Sequence, residues 1–423
     1  MPSASSAPTL PFLERLLDGE KVEWKTLGEV GTFVRGTSFQ KKHFVEKGVG
    51  CIHYGEIYTR YSLFAEKTIS YLNEEIANKA RKAGYGDLII ATTSENDDDV
   101  CKSVVWLGSE NIVVSNDACY YHHTLNPKYV AYFFRTDEFQ RQKRTYITGT
   151  KVKRVNANDL AKITIPIPPL RVQSRIVEIL DKFTQLEAEL EAELEARNKQ
   201  YDFYRNRLLD FAHRDDFAGQ VEWKTLGEVA ELVRGNGLSK KDFSEFGVPA
   251  IHYGQIYTYY GNETQETLSF VSPETAKRLK KVYPGNIVIT NTSENIEDVC
   301  KSVLYSGSIE AVTGGHATII RTKDCILPKY LVYYTLTLDF FTQKKRLAKG
   351  AKVIDVSAKD LAKIIIPLPP LSEQRRIVEI LDRFDTLTHS ISEGLPREIA
   401  LRRKQYEYYR DALLRFPQPA PTA

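Results

Sequence analysis

The stretch "IPIPPLRVQSRIVEILDKF" at residues 165–183 returns as "IPLPPLSEQRRIVEILDRF" at residues 366–384. In both copies prolines end an extended segment, because proline lacks an amide hydrogen and restricts the residue before it. Apolar residues then recur at spacings of three and four, which predicts an amphipathic helix. Each copy therefore predicts a junction at which a globular part ends and a long helix begins.

The repetition extends along the whole chain. "VEWKTLGEV" stands at residues 22–30 and 221–229, and "TSEN" at 93–96 and 292–295, both 199 residues apart. After an insertion of two residues near Pro328 the offset becomes 201. Solenoid repeats are only roughly 20–50 residues long, whereas a period near 200 suits a folded domain with a connector. We predict two copies of one module, joined head to tail.

The composition is that of a globular protein, with 42% hydrophobic and 27% charged residues among 423. No apolar run approaches the roughly 20 residues of a membrane helix, and no secretion signal is evident. The five cysteines form no CxxC pair, which favours a reducing compartment. We therefore expect a cytoplasmic protein with no membrane contact. Because the net charge is only +3, any binding of nucleic acid must depend on where the charges lie.

Short β-rich runs alternate with turns before each junction, as in "GDLIIATTS" at residues 86–94, and an amphipathic helix follows. The helix after the first junction spans about 40 residues, near 60 Å, whereas "SEGLP" at residues 392–396 interrupts the second. A long apolar stripe needs a partner, and the nearest is the other helix. We predict an α+β protein with two similar globular domains, joined by two long antiparallel helices around a pseudo-twofold axis.

The apolar stripes and the domain bounds follow from this layout. The stripe residues are Ile176, Leu180, Phe183, Leu190, Leu194, Tyr201, Tyr204 and Leu208, then Ile377, Leu381, Phe384, Ile399, Tyr406, Tyr409 and Leu413. The predicted parts are an N-terminal segment near the final helix (1–21), a globular domain (22–170), a helix (171–214), a second globular domain (215–371), a helix (372–416) and a tail (417–423).

Enzyme motifs are absent. There is no GxGxxG after a strand and no GxxxxGK[ST] loop. "CYYHH" at residues 119–123 contains metal-capable side chains, but its counterpart "TIIRT" at residues 318–322 has none. We predict no catalytic residue, no bound cofactor and no metal site in this chain.

Two basic runs surround a glycine turn, at Gly149 and at Gly350, and contain no acidic residue. Recurrence in both copies favours contact with DNA phosphates, although lysines at a helix end also complement its dipole. The candidates are Arg141, Lys143, Arg144, Lys151, Lys153 and Arg154, then Lys344, Lys345, Arg346, Lys349 and Lys352.

Further candidates stand in "VRG" loops, in the "IHYG" segments and in "TSEN". Their lysines suit phosphates, and their aromatic and amide groups suit base edges. Aromatic residues interleaved with glycine are, however, more often packed between strands and turns, and an Asx turn explains "TSEN" equally well. The candidates are Lys41, Lys42, His53, Tyr54, Arg60, Ser94 and Asn96, then Lys240, Lys241, His252, Tyr253 and Asn295, and His316 is added from a loop in which the two copies differ.

Positions that differ between otherwise matching loops are predicted to read different bases. They are Phe39-Gln40 against Leu238-Ser239, Arg60-Tyr61 against Tyr259-Tyr260, and Asn116-Asp117 against Gly315-His316. In contrast, the acidic "LEAELEAELEAR" at residues 186–197 repels DNA and indicates a solvated face or a protein-docking face.

The two-copy layout, the two junctions and "LRRKQYEYYRDALL" at residues 401–414 together resemble the specificity subunit of type I restriction–modification systems, over residues 21–416. The resemblance implies two target-recognition domains, each reading one half of an asymmetric bipartite site on double-stranded DNA. It implies that the helices, at 176–208 and 377–413, set the spacing and dock two methyltransferase subunits. S-adenosylmethionine is then expected on those subunits and ATP on restriction subunits.

Two alternatives from other classes remain open. One is a coiled-coil scaffold protein whose globular domains merely cap the helices. The other is an enzyme whose active site the motifs do not reveal.

Overall fold

The computed structural model describes residues 11–217, 219–390 and 392–417. They form two compact units. Unit 1 takes its described residues from Met1–Glu189 and Ala400–Ala423, and unit 2 takes its own from Leu190–Ile399. Within these ranges no helix has the length and apolarity needed to cross a membrane.

The elements of the first repeat are short except for one helix. The strands are β1 Glu23–Thr26, β2 Gly31–Arg35, β3 Phe44–Val45, β4 Val49–Ile52, β5 Phe64–Ala65, β6 Ser70–Leu72, β7 Lys82–Ala83, β8 Leu88–Ala91, β9 Thr93–Ser94, β10 Ser103–Trp106, β11 Ile112–Val114, β12 Ala118–His123, β13 Lys153–Arg154 and β14 Thr164–Ile167. The helices are α1 Pro11–Leu17, α2 Leu27–Val30, α3 Tyr54–Thr59, α4 Glu74–Asn78, α5 Pro127–Phe133, α6 Asp137–Arg144, α7 Ala157–Leu160 and α8 Leu170–Leu209.

The second repeat has the same succession of strands, but its long helix is divided into two helices. The strands are β15 Glu222–Thr225, β16 Ala230–Arg234, β17 Phe243–Ser244, β18 Val248–Ile251, β19 Glu263–Thr264, β20 Ser269–Val271, β21 Lys280–Val282, β22 Ile287–Thr290, β23 Thr292–Ser293, β24 Ser302–Tyr305, β25 Ala311–Thr313, β26 Ala317–Thr322, β27 Ile354–Asp355 and β28 Ile365–Leu368. The helices are α9 Leu226–Val229, α10 Tyr253–Thr258, α11 Pro273–Arg278, α12 Pro328–Thr335, α13 Leu338–Leu347, α14 Ala358–Leu361, α15 Leu371–His389 and α16 Gly394–Leu413.

Each unit contains two five-stranded mixed sheets. In unit 1 their strand orders are β2-β12-β8-β10-β5 and β3-β6-β4-β11-β7, and unit 2 repeats both orders strand for strand. Side chains alternate between the two faces of a strand, so Ile89 and Val104 fill the core between the sheets of unit 1. Their neighbours Ile90 and Val105 face the helical core. The prediction of an α+β fold with two similar domains is confirmed.

The two long helices differ in continuity, as predicted. Helix α8 runs through 40 residues without a break, whereas α15 ends at His389 and α16 begins at Gly394. Gly394 has φ +74°, and a Cβ there would lie 2.3 Å from the carbonyl oxygen of Thr386. The break therefore depends on glycine, because both the conformation and the contact exclude a side chain.

Within each unit the long helices pair antiparallel. In unit 1, Phe183 stacks on Tyr409 at 5.4 Å, and Glu187, one turn further along α8, pairs with the earlier Arg403 at 2.6 Å. In unit 2 the paired rings are Tyr201 with His389 at 5.5 Å and Tyr204 with Phe384 at 5.7 Å. Seven stripe residues are buried: Ile176, Leu180, Tyr201, Ile377, Leu381, Ile399 and Leu413. The others are half-buried except Tyr204: Phe183, Leu190, Leu194, Leu208, Phe384, Tyr406 and Tyr409.

The N-terminal segment lies in unit 1 with the end of α16. Leu13 belongs to the same buried core as Leu413, and the indole of Trp24 donates a hydrogen bond to the carbonyl oxygen of Pro417 at 2.9 Å. Residues 1–10 of the predicted segment and 418–423 of the predicted tail lie outside the described residues.

A buried glutamine forms hydrogen bonds between each junction and its globular domain. The amide oxygen of Gln374 accepts a hydrogen bond from the Leu327 amide at 2.9 Å, and its nitrogen donates to the carbonyls of Cys325 and Pro369 at 3.0 and 2.9 Å. Gln173 is bound in the same way in unit 1, with one partner fewer. The first turn of each long helix is thereby fixed to the loop that precedes α5 or α12.

Replacing Gln374 by leucine is expected to lower the free energy of unfolding of the full chain by about 2 kcal/mol, because one amide and two carbonyls lose their buried partner. Urea unfolding measures this change. The control is Gln185→Leu on the exposed face of α8, for which we expect less than about 0.5 kcal/mol. An equal loss in both variants would contradict the role given to Gln374.

Candidate DNA interface

A two-stranded sheet in each unit joins the basic loop to the "TSEN" segment. In unit 1, β13 pairs antiparallel with β9, which places Lys153 opposite Ser94 and Arg154 opposite Thr93. In unit 2, β27 pairs with β23 in the same register. Two segments that are far apart in sequence therefore lie side by side in each unit.

The loop turns on a glycine in both copies. Gly149 has φ +89° and Gly350 has φ +99°. A Cβ at either position would lie 2.1 or 2.0 Å from the carbonyl oxygen of Val152 or Val353, so the turn requires glycine. Each turn exposes one lysine near its tip, Lys151 or Lys352.

Acidic residues from another segment lie against the first basic run. Lys153 pairs with Asp97 at 3.0 Å, and Arg144 lies 3.6 Å from Asp98. Arg141 pairs with a residue of its own helix, Glu138, at 2.7 Å. The run that contains no acidic residue in sequence is therefore partly neutralised by carboxylates from elsewhere in the chain.

Lys143 and Lys344 were predicted to contact phosphates, but both side chains are buried. Lys143 is 0% exposed, and its ammonium donates hydrogen bonds to the carbonyls of Asp98 and Val100 at 3.1 and 2.9 Å. Lys344 is 5% exposed and binds the carbonyls of Glu297 and Val299 at 2.9 and 2.6 Å. Burial lowers the pKa of both ammonium groups. These lysines hold the loop after "TSEN", and their buried ammonium groups are not available for contact with a phosphate.

The asparagines of "TSEN" also serve their own loops. Asn96 accepts a hydrogen bond from the Asp99 amide and donates to the Asp99 carboxylate, both at 2.8 Å. Asn295 makes the same two bonds with Asp298. The oxygen and the nitrogen of each side-chain amide are thus both hydrogen-bonded within the loop, which agrees with the alternative of an Asx turn. Ser94 stays half-buried on β9 and accepts a long bond of 3.4 Å from the Asn96 amide.

The histidines of the "IHYG" segments cap helices. The ring nitrogen Nδ1 of His53 accepts from the Gly55 amide at 3.3 Å, and that of His252 accepts from the Gly254 amide at 3.2 Å. Burial lowers the pKa of both imidazoles. Their rings pack against neighbouring aromatic residues, as His252 does against Phe243 at 5.4 Å. Packing therefore explains these histidines.

The remaining predicted residues lie on or near the surface. Those with exposed side chains are Lys41, Lys42, Arg60, Arg154, Lys240, Lys241, His316, Lys345, Arg346 and Lys349, and Tyr54 and Tyr253 are half-buried. Two of them have polar partners: Lys349 pairs with Asp360 at 2.9 Å, and His316 lies 3.0 Å from the Thr292 hydroxyl.

A cleft in unit 1 brings together predicted and unpredicted residues. Arg154, Asn116 and Asp117 line it together with Arg35 and Thr93. The Nε of Arg35 donates to the carbonyl of Asn116 at 3.4 Å. Arg35 was not among the predicted contacts, although its segment "VRG" recurs as a landmark in both copies. The cleft presents two guanidinium groups beside an amide and a carboxylate, which are donors and acceptors suited to base edges.

The two histidines of the "CYYHH" segment have different surroundings. No group of three or more His, Cys, Asp or Glu residues in the described ranges is arranged to hold a metal ion. His122 pairs with Asp87 at 2.7 Å, whereas both ring nitrogens of His123 are shielded and have no hydrogen-bond partner among the described residues. Desolvation lowers the pKa of His123 from 6.5 to about 4, so this imidazole is neutral at pH 7.

Acidification is expected to destabilise the chain through His123. Between pH 6.5 and about 4 the unfolded chain binds the proton and the folded chain does not, so stability falls as the pH is lowered. With the partial exposure of the ring taken into account, the fall is about 2 kcal/mol. Chemical unfolding at pH 7.0 and 4.5 measures it. His123→Phe should abolish this part of the fall; an unchanged difference between the two pH values would exclude His123 as its source.

A family model and individual relatives all match this chain to the same protein family. The model of the type I restriction modification DNA specificity domain matches residues 19–196 and again 220–401. The chain is 36% identical over 430 aligned positions to the type I restriction enzyme EcoR124I/EcoR124II specificity subunit of Escherichia coli, covering 97% of this chain and 98% of that one. It is 28% identical to a putative type I restriction enzyme specificity subunit of Haemophilus influenzae, covering 96% and 98%.

Solved structures agree on the fold. A chain from a structure of a type I restriction–modification system aligns with a TM-score of 0.62 at 19% identity, covering 94% of this chain and 98% of that one. The S subunit from M. genitalium aligns with a TM-score of 0.51 at 15% identity, covering 95% and 98%.

Proposed function

The chain belongs to the type I restriction–modification DNA specificity family, and from this premise we propose that each of its two units reads one half of an asymmetric, bipartite DNA site. The chain is a specificity subunit, which is a non-catalytic component of such a system. It forms a complex with DNA and with other subunits of the system. We place this action in the cytoplasm.

One observation carries the proposal of two different half-sites. The two units share strand order, and their paired strands share register. They nevertheless differ in side chains within the same loops, such as Asn116-Asp117 against Gly315-His316. A shared scaffold suits contact with the uniform phosphate backbone, and divergent loop residues suit contact with different bases. Two readers with unlike loops on one chain support an asymmetric target.

The long helices support the docking of two methyltransferase subunits. Phe203 on α8 and Tyr408 on α16 are equivalent residues of "YDFYR" and "YEYYR", and they are 56% and 63% exposed. Large exposed aromatic rings are favoured anchors of protein interfaces, and one at each equivalent position suits two copies of one partner. In this proposal S-adenosylmethionine is bound by the methyltransferase subunits and ATP by restriction subunits. The long helices α8, α15 and α16 set the number of unread base pairs.

A methylation map of the source genome, with and without this gene, tests the proposed function. We expect deletion to remove adenine methylation from one asymmetric bipartite motif, and a plasmid copy to restore it. An unchanged map, in cells that demonstrably express the methyltransferase subunits, would refute the proposal.

A further inference from the structure

The backbone frame of the unit 1 cleft is repeated in unit 2. Arg154 and Asp355 are equivalent residues: each closes its glycine turn through two backbone hydrogen bonds, to Thr148 and to Lys349 respectively, at 2.8–2.9 Å. Arg154 lies opposite Thr93 and Asp355 opposite Thr292 in the same register. The chemistry of the side chain is therefore the main difference at this position.

The charge at this position is inverted between the two units. Arg35 and its equivalent Arg234 each donate through Nε to the next loop, to Asn116 at 3.4 Å and to Gly315 at 3.1 Å. In unit 2, Asp355 lies 3.7 Å from the guanidinium of Arg234. In unit 1, no carboxylate within the described residues forms an ion pair with Arg35 or with Arg154.

The neighbouring position changes in the opposite sense. Asp117 lines the cleft of unit 1, and the equivalent residue in unit 2 is His316, whose ring is bound to the Thr292 hydroxyl. The cleft of unit 1 thus combines two guanidinium groups with one carboxylate and is net positive. The corresponding surface of unit 2 combines one guanidinium with one carboxylate and an imidazole ring. The two surfaces offer different patterns of hydrogen-bond donors and acceptors.

We propose that the residue at position 154 or 355, together with the adjacent Arg35 or Arg234, determines which base edge each unit accepts in the major groove. The donor-rich cleft of unit 1 suits an edge with two acceptors, which is the N7 and O6 edge of guanine. In unit 2 the carboxylate of Asp355 accepts from an exocyclic amino group, so this surface suits an edge that carries one, on adenine or cytosine. The inference rests on the proposed function and extends it to named specificity residues.

Charge exchange in the assembled methyltransferase complex tests the inference. Arg154→Asp and Asp355→Arg are each expressed with the partner subunits, and the methylated sites are mapped in a randomised DNA library. We expect Arg154→Asp to lower the preference for guanine at one position of one half-site about 10- to 100-fold, with the other half-site unchanged. Asp355→Arg should change one position of the other half-site only.

Matched variants make the result decisive. Lys151→Ala removes an exposed cation from the same turn, and we expect it to weaken methylation of all sites alike, without changing the motif. If Arg154→Asp is inactive although folded, Arg154→Gln replaces it. An unchanged motif, or a uniform loss that matches the Lys151→Ala pattern, would mean that Arg154 contacts phosphate and would overturn the inference. Absence of motif-specific methylation by the unaltered complex would instead overturn the proposed function.

Discussion

Raising the salt concentration from 50 to 200 mM is expected to weaken DNA binding by the assembled complex about 10³-fold, because contact with about six phosphates displaces their counterions. Six exposed lysines that form no ion pair with a described residue are available for these six phosphate contacts. They are Lys41, Lys42, Lys151, Lys240, Lys241 and Lys352. Fluorescence anisotropy of a labelled duplex, across a series of salt concentrations, measures the slope of affinity against salt.

Single substitutions resolve which lysines contribute to that slope. Each lysine that contacts a phosphate should lower the slope by about 0.9 when it is replaced by alanine, so Lys151→Ala with Lys352→Ala should lower it by about 2. Lys199 on α8 pairs with Glu195 at 2.5 Å, and its replacement by alanine is the control that should leave the slope unchanged. Binding that is indifferent to salt would favour the alternative of a protein scaffold.

Replacing Lys344 by methionine is expected to lower the free energy of unfolding by about 3 kcal/mol, the largest effect of any single change considered for stability. Methionine fills the same space, but the buried carbonyls of Glu297 and Val299 lose two charge-assisted hydrogen bonds. Lys143→Met should act similarly in unit 1, where the ammonium has the same two kinds of partner. Urea unfolding of the full chain, followed by circular dichroism, measures both.

The neighbouring Lys345 provides the control. It is exposed at the end of the same helix, and Lys345→Met should change stability by less than about 0.5 kcal/mol. If Lys344→Met and Lys345→Met were equally stable, the hydrogen bonds of Lys344 would contribute nothing. The same pair of variants is a control for the DNA-binding experiments. A loss of affinity in Lys344→Met would reflect an unfolded loop and not a lost phosphate contact.

The architecture could be predicted because the sequence repeats the patterns that specify it. The duplicated junctions predicted two similar domains, and the uninterrupted "LEAELEAELEAR" against "SEGLP" predicted one continuous helix and one broken helix. The recognition surface was predicted less well. Lys143 and Lys344 were taken as phosphate contacts from their charge, although each lies four residues after a buried phenylalanine, Phe139 or Phe340. That spacing places them on the same buried face of the helix.

Other features depend on contacts between distant segments and leave no local signal. Asp97 and Asp98 neutralise part of the basic run only because β9 pairs with β13, some 60 residues further along the chain. The cleft that joins Arg35 to Arg154 is assembled by the same pairing. Periodicity and composition report on neighbours in sequence, so such sites are found only when the strand pairing is known.

The division of the chain into units also determines the order in which they are completed on the ribosome. Unit 2 is one continuous segment and is fully synthesised once Ile399 has been added. Unit 1 begins earlier but includes Leu413, Leu414 and Phe416 in its core, so it waits for the last residues of the chain. Synthesis of the chain from the end of the first segment of unit 1, at Glu189, to Leu413 takes roughly 10–50 s at 5–20 residues per second. For that time the apolar residues at the start of α8, such as Ile176 and Leu180, lack the cover that Leu413 and Phe416 provide in the finished core.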